Sequence, residues 1–114
     1  MDNSVPELGE LDLLQTYASR VARRMLLMRF CGEGHPVLAI EEDLIQMAKS
    51  RLQEFLLASF DSDRLDLVRP LLSSVVRKVA YSRIMASDAD HEVKESLLEE
   101  LQDMPMEDLL PPVH

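Results

Sequence analysis

LDLLQTYASRVARRMLLMRF, residues 11–30, decides the fold. Leu11, Leu14, Ala18, Val21, Met25 and Met28 recur in steps of three and four, the spacing that places side chains on one stripe of an α-helix. The stretch is also apolar off that stripe, at Leu13, Tyr17, Leu26, Leu27 and Phe30, so several sides of its C-terminal half need cover. A helix is therefore predicted over residues 11–30. The following Cys-Gly-Glu-Gly-His-Pro ends it, with Gly32 or Gly34 able to take the left-handed conformation that closes helices.

Downstream, the same periodicity returns three times. A second helix is predicted to begin between Pro36 and Ile40, with Glu41, Glu42 and Asp43 suited to the positive end of its dipole. Ile45, Ala48, Leu52 and Phe55 form its stripe, and the helix ends near Phe60, before the break and cap at Asp61-Ser62-Asp63. The third segment carries Leu65, Val68, Leu72, Val75 and Val79, with Val76, Ala80 and Ile84 beside them, and is the candidate central helix. Pro70 lacks a backbone donor and clashes with the preceding turn, so a break or kink is expected there. Ser87-Asp88-Ala89-Asp90 reads as a turn and cap, after which Val93, Leu97, Leu101 and Met104 line a short acidic helix that Pro105 ends.

No segment alternates as a half-buried strand does. The expected architecture is all-α, an antiparallel bundle of four helices over residues 11–104, with a flexible segment at 1–10 and an acidic, Pro-ended C-terminal tail at 105–114.

Composition agrees. Of 114 residues, 46% are hydrophobic and 29% charged, a globular balance, and seven Met with no Trp and three Gly favour helix over sheet. The length suits one domain with one core. Cys31, the single cysteine, has no intramolecular partner, and the N-terminal residues show neither a basic nor an apolar leader region, so a reducing, cytoplasmic location is expected. The longest apolar run, Met25 to Met28, is far short of the roughly 20 residues of a membrane span, and no membrane span is expected.

The net charge of −9 is unevenly spread. Nine acidic residues from Asp88 onward face only Lys94, residues 1–13 hold four acidic residues and no basic one, and the centre holds eleven basic against eight acidic. An acidic chain whose arginines have no aromatic residues interleaved as stacking platforms is a poor ligand for nucleic acid, so no nucleic-acid partner is expected.

Chemistry has few candidates. Cys31 and His35 are the only nucleophile and base close in sequence, and no orienting group accompanies them, so no catalytic residue is assigned. No cofactor is expected, with one place where a divalent metal could bind: Asp88, His91 and Glu95 stand at steps of three and four, and a helix begun early enough would bring them to one face. Read as a calcium loop, Asp88, Asp90, Glu92 and Glu99 fall at ligating positions, but Val93 occupies the position that requires glycine. The plain alternative is a capped, solvated acidic helix.

The stretch Val79-Ala80-Tyr81-Ser82-Arg83-Ile84-Met85-Ala86-Ser87-Asp88-Ala89-Asp90-His91-Glu92-Val93, followed by Glu95 and Leu98, resembles the signature of the tellurite-resistance TerB-like helical domains. Gly34-His35-Pro36-Val37 with Glu41 and Glu42 is an earlier echo of it, and His91 stands where that family has glycine. The resemblance implies a helical domain in which an acidic turn around Asp88 binds a metal.

Association is the other reading. Met25-Leu26-Leu27-Met28 presents apolar groups all around the first helix, which implies either the buried centre of a monomer or a contact with a second copy. A homo-oligomer built on Leu14, Val21, Met25 and Met28 is the expectation, with another protein as a further partner. Leu109 and Leu110, between Glu107-Asp108 and Pro111-Pro112, have the form of a short docking motif. Arg20, Arg23 and Arg24 on the first helix, and Arg77 with Lys78 on the third, either form solvated faces neutralised by the chain's own acids or dock an acidic partner. The function expected is thus a non-enzymatic adaptor, assembly factor or regulatory subunit, the alternative being the metal-binding domain.

Overall fold

The computed structural model describes residues 4–32 and 34–110. Among them all regular structure is helical: α1 at Ser4–Cys31, α2 at Pro36–Ser59, α3 at Ser62–Met85, α4 at His91–Asp103 and a single turn, α5, at Met106–Leu109.

Helix α1 starts at Ser4, before the expected Leu11, and accommodates Pro6 in its first turn, where a missing N–H removes no intrahelical bond. At its other end the Gly32 N–H donates to the Met28 carbonyl, and Gly32 and Gly34 both hold positive φ, at 79° and 84°. Pro36 then opens α2, and the Val37 N–H donates to His35 Nδ1 at 3.1 Å, so His35 serves as the cap. Asp61 caps α3 in the same way, its Oδ1 accepting from the Arg64 N–H at 2.9 Å.

Helix α3 runs unbroken through Pro70, so of the expected break or kink no break into two helices is present. Pro70 and Asp66 both lie on the exposed side, so the Asp66 carbonyl that loses its helical donor faces water rather than the core. The Ser73 hydroxyl donates to the Pro70 carbonyl at 2.9 Å, turning a buried serine into a local tie across that turn.

The central helix is α1, not α3. It packs along both α2 and α3, while among the described residues α2 and α3 make at most marginal contact with each other; α4 and α5 lie against α3. This packing on two sides accounts for most of the all-round apolar character of α1, Phe30 at its end remaining exposed. Leu14, Tyr17, Ala18, Val21, Ala22 and Met25 are all buried, and with Ile45, Leu52 and Leu56 of α2 and Leu65, Leu72, Val76, Ala80 and Ile84 of α3 they form one continuous core. Each large side chain fully withdrawn from water there contributes about 1.5–3 kcal/mol. Ala18 and Ala22 are wholly buried and let neighbouring backbones come close.

Residues 105–110 of the expected tail are part of the domain. Pro105 ends α4 and opens α5, since a proline at a helix start forfeits no bond. The Asp108 N–H donates to the Pro105 carbonyl and the Leu110 N–H to the Met106 carbonyl, and this turn carries Leu109 and Leu110, both fully buried, into the same core as Leu97 and Leu101 of α4. Pro111 and Pro112 lie outside the described residues.

Candidate functional site

Glu41 was expected to serve the positive end of the second helix. Because α2 begins at Pro36, its first turn holds no acidic residue, and Glu41 points instead at α1. It is 3% exposed, accepts from Arg23 Nε at 3.1 Å and lies 3.4 Å from Arg20 Nη1, while the neighbouring Glu42 pairs with Arg24. A buried carboxylate needs this compensation, and two guanidinium groups that keep their outer edges in water supply it without themselves being desolvated. Arg20, Arg23 and Arg24 of α1 are therefore neutralised within the chain, while Arg29 donates to the Ser96 hydroxyl of α4.

The three residues expected to offer a metal site are not gathered. Helix α4 starts at His91 with Asp90 in the cap position, so Asp88 stays in the preceding bend, off the face that a helix begun earlier would have built. His91 Nε2 lies 3.3 Å from Glu95 Oε1, both side chains well exposed. Among the described residues no group of three or more His, Cys, Asp or Glu is placed to hold a metal ion. The calcium-loop alternative has no loop to occupy, since residues 91–103 are helical.

Of the residues expected to mediate association, Leu14, Val21 and Met25 lie in the core, as do Leu109 and Leu110, and Met28 is half-buried. Tyr17, beside them, meets α5. Burial pushes its phenol above the ordinary value of 10.0, and the negative charge of Asp108 pushes it in the same direction.

The fold leaves apolar groups uncovered on α2, at Val37, Ile40 and Met47, and in a longer stripe on α3. Leu67, Leu71, Ser74, Lys78, Tyr81 and Met85 follow one another in steps of four and three, and all six are exposed. At about 100° per residue this stripe falls on the side of α3 away from Leu65, Leu72, Val76, Ala80 and Ile84. Leu67 and Leu71 are 75% and 68% exposed, and Tyr81 and Met85 are 45% and 47% exposed. Single exposed leucines are ordinary, but four large apolar groups in register on one helix face are not.

Between the two apolar pairs lies an open pocket of about 470 Å³, lined by Ser74, Arg77, Lys78, Tyr81, Ser82, Leu101 and Gln102. Arg77 is anchored there: one terminal nitrogen donates to the Met104 carbonyl at 2.9 Å, while its Nε is buried without a partner. Among the described residues neither Arg77 nor Lys78 has a carboxylate within 4.0 Å. The arrangement combines apolar ends, a cationic middle, and hydroxyl and amide groups around it.

Leu67 and Leu71 escape a reading of the sequence because the third segment is apolar on nearly all sides. The signal is present, as a second series in four-three steps offset from the core series, but only knowledge of which series is covered separates them.

No family model matches the chain, nor does any curated protein or solved structure.

Proposed function

We propose that this protein is a non-enzymatic interaction module, an adaptor or regulatory subunit, that docks other proteins through the outer face of α3. The observation that carries this reading is the register of Leu67, Leu71, Tyr81 and Met85, exposed together on the side of α3 turned away from the core. An apolar stripe kept in water brings no stability to the isolated chain, and its natural use is to be covered by a partner.

Association through α1 would require Leu14, Val21 and Met25 to leave the core, so the docking surface moves from α1 to α3. The short connections between α1, α2 and α3 support an antiparallel bundle as the scaffold. No helix among the described residues is long and apolar enough to cross a membrane, and the half-buried free thiol of Cys31 favours a reducing compartment, the cytoplasm, as the place of action.

Photo-crosslinking in the native host tests the surface. A photoreactive amino acid in place of Leu71 is expected to yield a discrete protein adduct, and the same group in place of Ser50, exposed on α2, to yield none. Adducts from neither position, or equally from both, would overturn the reading.

A further inference from the structure

We infer that the occupant of the outer face of α3 is an acidic amphipathic helix of another protein, its apolar side chains seated on Leu67 and Leu71 at one end and Tyr81 and Met85 at the other, its carboxylates on Arg77 and Lys78 between them. This rests on the reading of α3 as the docking face and adds the chemistry of the partner.

Charge selects the occupant. The chain carries −9, yet the charged side chains that line the pocket in the middle of this face, Arg77 and Lys78, are both basic. The sign of the whole molecule is thus inverted at the middle of this exposed apolar face. On α1 a comparable set of arginines is matched by Glu41 and Glu42 from the next helix, whereas Arg77 and Lys78 receive no carboxylate from any described element. Arg77 is also held in place by Met104, so a cation is already positioned before any partner arrives.

Shape selects a helix. The apolar positions repeat in four-three steps over the 19 residues from Leu67 to Met85, a ridge about 27 Å long, the form that packs against a partner helix of five turns. The pocket beside Lys78 has room for a carboxylate-bearing side chain from that helix.

A second copy fits poorly. Parallel pairing of two α3 helices would set Lys78 against Lys78, and antiparallel pairing has its two-fold near Val76, which would bring Arg77 and Lys78 of both copies together at the centre of the contact. Like charges there disfavour the pair. An anionic membrane surface is disfavoured by Ser74 and Lys78 interrupting the apolar stripe at its middle and by the overall negative charge.

The test uses the full chain and a fluorescein-labelled peptide of about 21 residues with leucines in three-four steps and flanking glutamates, beside a matched peptide with glutamine for glutamate. Fluorescence anisotropy at low salt should show the glutamate peptide binding about tenfold or more tightly over the glutamine peptide. Lys78→Glu should remove that preference and Leu71→Glu should abolish binding, with the helical circular dichroism and the urea midpoint of both variants unchanged. Equal binding of the two peptides, binding of neither, full preference retained in Lys78→Glu, or binding instead to phosphatidylcholine–phosphatidylserine vesicles would each overturn the proposal. A protein adduct at position 71 without a glutamate preference leaves the docking face standing and removes only its acidic occupant; no adduct at position 71 removes the docking face itself.

Discussion

Helices α1 and α3 begin from nearly the same material: each is long, each carries apolar residues in three-four steps on more than one side, and each bears a cluster of basic residues. In the folded chain they diverge. Helix α1 is flanked by α2 and α3, and Arg20, Arg23 and Arg24 meet Glu41 and Glu42. Helix α3 is covered by α1, α4 and α5 on one side, and its opposite stripe keeps Leu67 and Leu71 in water with Arg77 and Lys78 unmatched. The same pattern is thus structure on one helix and surface on the other. What separates them is whether a neighbouring element arrives with the complementary groups at the same height, and only α2 does so, against α1.

The largest effect should come from matched truncations on the two stripes. Leu14→Ala on α1 removes a side chain that is 2% exposed and should lower the free energy of unfolding by about 3 kcal/mol in urea titration. Leu71→Ala on α3 should change it by no more than about 0.5 kcal/mol. A loss at Leu71 as large as that at Leu14 would mean that the outer stripe is part of the core after all.

Next come the charges. Removing Arg20 and Arg23 together by Ala substitution strands Glu41 in the interior and should cost about 2 kcal/mol, less than for a fully buried pair because both guanidinium groups are partly solvated. Adding Glu41→Leu to that double variant should recover most of the loss, since the uncompensated charge goes with it. Lys78→Ala should leave stability within about 0.5 kcal/mol of the parent. An unchanged urea midpoint for the double arginine variant would show that the α1–α2 pairs are ornamental.

The smallest effect is one of pH. The Tyr17 phenol titrates above its unfolded value of 10.0 because it is buried and faces Asp108. Its contribution to stability is therefore complete below pH 10 and is lost as pH rises through the higher folded value. Tyr17→Phe should flatten the alkaline fall in stability followed by circular dichroism, and an identical fall in both chains would remove Tyr17 as its source.

Much of the fold was legible because helix formation is local. Three-four spacing, Asp61 before α3, the glycines after Cys31 and Pro36 at the start of α2 all act within a turn or two of their own position, so they locate four helices without tertiary information. The elements that escaped are those where a local signal was outweighed. Two prolines after Leu110 suggested a tail, but Pro105 is neutral at a helix start, and burying Leu109 and Leu110 repays ordering the turn between. At Asp88, His91 and Glu95 the spacing was correct for one helix face, and the outcome depended on where α4 begins; a three-residue difference in that start leaves Asp88 outside.

The site was less legible than the fold. Glu41, Glu42 and Asp43 form a plain acidic run, and nothing in that run says that Glu41 turns inward to Arg20 and Arg23 while Asp43 stays exposed. On α3, Leu67 and Leu72 are the same residue type, five positions apart, and one is 75% exposed while the other is 8% exposed.

By itself, then, the sequence determined that the chain is helical, where its long helices run, and that it carries more apolar surface than four simple amphipathic helices need. Only the tertiary structure decided which of that surface is core and which is left over, and which basic residues have partners. Helix periodicity reports only that apolar groups share a face; whether the face is covered depends on long-range packing, which sets α2 and α3 on either side of α1 and leaves the far side of α3 to water.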